Sequence, residues 1–134
     1  MDNETFNQFC QSLPSTTHVV QWGNSDVWKI GGKVFAIGGW GKTGEPAFVF
    51  KTSDLNFEFL NERKGFRPAP YLASRGFKWV QQFELPEALA NQSEETLVSS
   101  LEEELKYYIT ESYRMVSKAL SKKTQRELGL LDPA

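Results

Sequence analysis

The sequence predicts a two-layer α+β domain: an antiparallel sheet with helices packed mainly on one face and a long helix toward the C-terminus. Three observations carry this reading. Short segments rich in β-branched and aromatic residues between positions 16 and 51 are separated by glycine-containing turns. Apolar residues recur at helical spacing from Ser93 to Leu120. The order helix, strands, helix, strand, helix, with short connections, suits a sheet covered on one side by helices. At 134 residues the chain makes one domain, long enough for a core without disulfides or metal.

The elements follow in order. Asp2 or Asn3 caps a first helix, and Glu4 lies in its first turn, where the helix dipole favours negative charge. Phe6, Phe9, Cys10 and Leu13 form its apolar stripe, and Pro14-Ser15 end it. Thr16 to Trp22 favours a strand, stopped by Gly23-Asn24-Ser25. Val27–Ile30 and Lys33–Ile37 read as a hairpin about Gly31-Gly32, a pair that tolerates positive φ. That turn sets Ile30 opposite Lys33 and Trp28 opposite Phe35, giving a core face of Trp28, Ile30, Phe35 and Ile37. Val27, Lys29, Val34 and Ala36 then share the other face.

Pro46–Lys51 is a further strand, and Ser53 or Asp54 caps a second helix. Leu55 and Phe59, with Phe57 and Leu60, supply its apolar side, and Lys64-Gly65 ends it. Lys78–Leu85 alternates Trp79, Gln81, Phe83 and Leu85 against Lys78, Val80, Gln82 and Glu84, a strand with one apolar and one mostly polar face. Pro86–Gln92 reads as a turn or short helix. The long helix from Ser93 has acids at its start and lysines at its end, in agreement with its dipole. Residues 121–134 read as a polar tail that frays.

Composition narrows the function. Net charge is −2 and the isoelectric point about 5.5, so the whole molecule has no general attraction for phosphate or anionic lipid. The lone Cys10 excludes an internal disulfide and a cysteine-based zinc site, and its place on an apolar stripe marks it as core. With His18 the sole histidine, neither a histidine-rich metal site nor a histidine relay is available, and no cofactor is expected. Gly41-Lys42-Thr43 resembles the end of a phosphate-binding loop, but Ala36 stands where its first glycine belongs and a strand follows in place of a helix. No apolar run is long enough to span a membrane, and the start Met-Asp-Asn-Glu-Thr lacks the basic opening of a secretory signal, so a cytoplasmic protein is expected.

The distinctive stretch is Arg63–Trp79, with five basic residues, four aromatics and no acid, in a chain whose acids concentrate toward the C-terminus. Within it, Gly65-Phe66-Arg67-Pro68-Ala69-Pro70-Tyr71-Leu72 resembles the signature of the MmcQ/YjbR family of small bacterial proteins. The resemblance extends to Val27–Ala36, to Phe48–Leu55, to Trp79-Val80 and to Ile109-Thr110-Glu111-Ser112-Tyr113-Arg114. Ala69-Pro70 and Leu72 depart from the glycine and histidine usual in the family, and Ala73–Trp79 departs from its Asn-Lys-Arg-His-Trp-like run. The resemblance implies a YjbR-like, secretion-chaperone-like fold. It also implies a DNA-binding label, which leans on likeness to a phage transcription factor's double-wing domain.

On that reading Arg63, Lys64, Arg67, Arg75, Lys78 and Tyr71 are the candidate nucleic-acid contacts, supported by Lys29, Lys33 and Lys51 on the solvent side of the sheet. Phe66, Tyr71 and Trp40 would stack on bases if the ligand were single-stranded. The competing reading of Arg67 and Tyr71 is that they fasten the loop to the sheet. A second functional class is a protein-interaction module, chaperone-like or homodimeric, using an open sheet. No catalytic arrangement is legible, and a non-enzymatic binding protein is expected.

Overall fold

A computed structural model of the chain describes residues 1–40, 46–70, 77–88 and 90–130, with Trp40 described in its backbone alone. The elements are α1 (Asn3–Ser12), β1 (Thr16–Gln21), β2 (Ser25–Ile30), β3 (Lys33–Trp40), β4 (Pro46–Lys51), α2 (Asp54–Asn61), β5 (Phe66–Pro68), β6 (Trp79–Gln82), α3 (Glu94–Ala119) and α4 (Lys122–Glu127). Among the described residues the strands form one antiparallel sheet in the order β1-β2-β3-β4-β6-β5. Side chains of α1, α2 and α3 share a single core with one face of that sheet. The helices therefore make one layer and leave the sheet's other face turned outward.

The α-helical caps follow the sequence. Asp2 accepts from Thr5 N at 2.8 Å, Ser53 from Asn56 N at 3.2 Å, and Ser93 from Thr96 N at 3.1 Å. Phe6 and Cys10 are buried beneath α1, and Leu97, Leu101, Leu105, Ile109 and Val116 line the inner side of α3. α2 departs from expectation. Its inward side chains are Leu60 and, in part, Phe57, whereas Leu55 and Phe59 are 77% and 56% exposed. Both pairs sit at helical spacing, and in a helix of two turns the sheet it rests on decides which pair turns inward.

The β2–β3 hairpin begins in the expected register, Ile30 opposite Lys33 and Lys29 opposite Val34, with Gly31 and Gly32 at φ +58° and +79°. It then shifts at a bulge, so that Trp28 faces Ala36 and Val27 faces Ile37. Ala36 consequently joins Trp28, Ile30 and Phe35 in the core, and Ile37 moves to the outward face, the reverse of the simple alternation. Beyond the Ala36–Phe50 pair, the hydroxyl of fully buried Ser112 bridges the two strands from α3. It accepts from Lys51 N at 2.9 Å and donates to Phe35 O at 2.7 Å. Tyr113 beside it packs edge-on against Phe35 and donates to Pro14 O at 2.6 Å.

β5 is a strand where a loop was expected, and it forms the sheet edge beside β6. β6 is also inverted relative to the sequence pattern. Val80 and Gln82 face the core, opposite Phe50 and Phe48, and Trp79 and Gln81 turn outward. Thr52 sets this register by donating from its N–H to Lys78 O at 2.8 Å, and Gln82 tolerates burial because its amide donates to Glu84 O at 2.8 Å. Pro86–Gln92, expected as a turn or short helix, holds a turn at Ala90-Asn91 and no helix among its described residues.

The expected fraying after Leu120 is replaced by α4, capped by Ser121. Its buried Gln125 donates to Leu120 O at 2.7 Å, satisfying a carbonyl at the end of α3, and Leu128 and Leu130 pack on the core. Residues 131–134 lie outside the described residues.

Three substitutions test this frame by chemical denaturation. Ser112→Ala leaves the part-buried Lys51 amide and the buried Phe35 carbonyl without their shared hydroxyl and should cost about 3 kcal/mol. At Gly65, φ is +94° and an added Cβ would overlap the Glu84 carbonyl oxygen, so Gly65→Ala should cost more than about 2 kcal/mol. Gly32→Ala, at positive φ with nothing within 4 Å, should cost about 1 kcal/mol.

Candidate functional site

The signature stretch Gly65–Ala69 is held down along its length. Gly65 O accepts from Phe83 N at 2.9 Å, Phe66 is buried, and Ala69 N donates to Trp79 O at 2.9 Å. Arg67 donates from Nε to Gln81 Oε1 at 2.7 Å, and its guanidinium lies 4.4 Å from the Phe83 ring centroid. Arg63 pairs with Glu104 of α3 (Nη2 to Oε2, 2.9 Å) and sits 5.1 Å from the Phe66 ring centroid. Lys78 lies 4.7 Å from the Phe57 ring centroid, toward α2, while Lys64 is exposed beside Glu62 and Glu87. Tyr71 and Arg75 lie outside the described residues, as does the Gly41-Lys42-Thr43 loop.

These cations do not converge. Arg63 turns to α3, Lys78 to α2, and Arg67 to the outward face. Phe66, being buried, is unavailable for stacking on a ligand.

The outward face brings together a different set. Cross-strand partners share a face, so Thr17, Lys29 and Val34 continue across the sheet to Lys51 and its partner Trp79. The parallel row through Val27, Ile37 and Val49 ends at Gln81 and Arg67. Val27, Ala47 and Val49 are buried, whereas Lys29, Val34, Lys51, Trp79 and Arg67 are partly exposed. No described strand residue on this face is acidic, while Asp54 and Glu58 belong to α2, Glu62 caps its C-terminus, and Glu94, Glu95, Glu102, Glu103, Glu104 and Glu111 belong to α3. A near-neutral chain is thereby polarised between its two layers.

The row of Lys29, Lys51 and Trp79 borders a cleft of about 680 Å³ between the sheet and the C-terminal end of α3. Val34, Lys51 and Trp79 belong to both row and cleft, Phe77 and Lys33 flank it, and Val116 and Leu120 supply its apolar wall. Lys33 reaches it from the helix side, since its cross-strand partner is the core residue Ile30. Gly31 makes the wall possible. Its φ of +58° favours glycine, and a Cβ there would meet Leu120 Cδ1 at 2.6 Å and displace that side chain from the wall.

Phe77 and Trp79 were not legible as site residues, because the alternation of β6 groups Trp79 with Phe83 and Leu85 as an apolar face. The signal that could have found them is the run Phe77-Lys78-Trp79, two aromatics two residues apart after a basic stretch. His18 Nε2 lies 2.8 Å from Asp26 Oδ1, and the His18 ring centroid lies 4.8 Å from that of Trp28, at the edge of the sheet. Burial pushes the Cys10 thiol far up, which suits a packing role. Among the described residues no group of three or more His, Cys, Asp or Glu side chains converges.

Arg63→Ala and Arg67→Ala should each lower stability by about 1 kcal/mol in denaturant titrations, and Lys64→Ala should change it by less than about 0.5 kcal/mol. Equal losses at all three positions would contradict the anchoring role of the two arginines.

Comparison with known proteins agrees with this architecture. The structure is similar to the crystal structure of Deinococcus radiodurans protein DR2400, which carries a DUF419 domain: the TM-score is 0.71 at 19% identity, covering 99% of this chain and 91% of that one. This likeness is one of fold. No curated protein matches the sequence. The sequence profile named YjbR matches residues 11–115, which spans the sheet and most of α3, and the chain belongs to the YjbR family.

Proposed function

We propose that this protein is a non-enzymatic nucleic-acid-binding protein that takes the phosphate backbone along the outward face of its sheet. The observation that carries the reading is the polarity of that face: Lys29, Lys51 and Arg67 are partly exposed there with no carboxylate among them, and most of the acids among the described residues lie on the helices. Like charges on the far side orient an approaching polyanion even when net charge is near zero. Phosphate contacts of this kind are independent of sequence and weaken steeply with salt. The DNA-binding label that the family resemblance implies fits this chemistry, with the contacts shifted from Arg63, Lys64 and Lys78 to the sheet.

A second reading is favoured by β1, which among the described residues pairs with β2 alone and ends the sheet. β1 contains no Lys, Arg, Asp or Glu and no proline, its Val19 and Val20 are exposed, and Trp22 after it is 62% exposed. Such an edge accepts a partner strand, from a second copy or another protein. Light scattering across a concentration series tests the self-pairing version, and a strict monomer contradicts it.

Fluorescence anisotropy with labelled DNA tests the first reading. Binding at low salt should fall as salt rises, and Lys29→Gln and Lys51→Gln should each reduce the slope of log affinity against log salt by about one. Absence of binding at low salt would overturn the proposal.

A further inference from the structure

We infer that the cleft beside the lysine row seats a nucleobase, which makes single-stranded nucleic acid the ligand class; this rests on the nucleic-acid role proposed for the outward face. The row and the cleft are continuous, because Lys51 and Trp79 belong to both. A backbone following the row from Lys29 therefore arrives at a concave site of about 680 Å³, a size suited to a small planar group.

The chemistry of the cleft is two-sided. Phe77 and Trp79 offer ring surface, and Lys33 and Lys51 offer cations, with no carboxylate among the described lining residues. A nucleotide unit presents the complement, a flat base for the rings and a phosphate for the ammonium groups. Phe77 is 52% exposed, a large ring held in water beside positive charge, and a stacked base would cover it. In a duplex both faces of each base are already covered by stacking, and a base must leave the helix to enter a concave site. An unpaired strand has no such requirement. Simple inorganic anions would engage the lysines and leave the rings unused.

The test is fluorescence anisotropy of the full chain with labelled oligothymidylate and with a labelled duplex at the same low salt, for the wild type, Phe77→Ala, Phe77→Tyr and Lys33→Gln. Oligothymidylate should bind about tenfold or more tightly than duplex, and Phe77→Ala should lower its affinity about tenfold while changing duplex binding little. Phe77→Tyr, which keeps a ring, should recover binding relative to Phe77→Ala, and Lys33→Gln should weaken oligothymidylate selectively. Lys33 and Phe77 are exposed, so thermal melts of the variants should match the wild type. Equal affinity for the two ligands, or no effect of Phe77→Ala and Lys33→Gln, would overturn the base seat and leave the outward-face reading standing. Failure of both ligands to bind would overturn that reading and the base seat with it.

Discussion

The hydroxyl of Ser112 stands at the point where the two layers meet. Beyond the Ala36–Phe50 pair, Lys51 N and Phe35 O are both tied to one side chain of α3, at 2.9 and 2.7 Å. A buried amide and carbonyl cannot be left unmade without a large penalty, so the hydroxyl makes the bulged register of β3 compatible with α3. It also holds the backbone of Lys51, whose side chain enters both the outward row and the cleft. The family signature around Ser112-Tyr113 thus has a structural reason, as does Gly65 beneath the Glu84 carbonyl.

From that junction the site follows by register. The bulge puts Ala36 inward and Ile37 outward, β4 takes its pairing from β3, and Thr52 clamps Lys78 at the end of β4. With Lys78 held there, Val80 falls opposite Phe50 and Trp79 has only the outward face to occupy. A single-residue slip would return Trp79 to the core and expose Val80. The aromatic at the mouth of the cleft is therefore a consequence of how the core is satisfied.

What was legible in the sequence divides along the same physical line. Local signals held: Asp2, Ser53 and Ser93 as caps, the Gly31-Gly32 turn, and the apolar stripes of α1 and α3. Features decided by partners distant in sequence did not. The bulge at Phe35 leaves no composition mark, the stripe of α2 has two equivalent candidates, and β6 mixes Trp79 and Val80 on opposite faces so that its heavier side chains suggest the wrong one. α4 was hidden by its polar sequence, because its burial rests on Gln125 meeting the end of α3. For the site, Lys29 and Lys51 were legible on the solvent side of the sheet. The basic stretch after α2 drew notice for its charge, yet Arg63 and Arg67 there are held by Glu104, Gln81 and ring faces.

On the proposed reading a nucleic-acid chain lies along the outward face of the sheet and ends in the cleft beside the C-terminal end of α3. Backbone amide and indole chemical shifts followed during titration with an unpaired oligonucleotide test it most directly. Changes should concentrate at Lys29, Val34, Lys51, Phe77 and the Trp79 indole, with Glu102–Glu111 of α3 unmoved. Changes centred on the acidic face of α3, or on the β1 edge at Val19–Trp22, would contradict it.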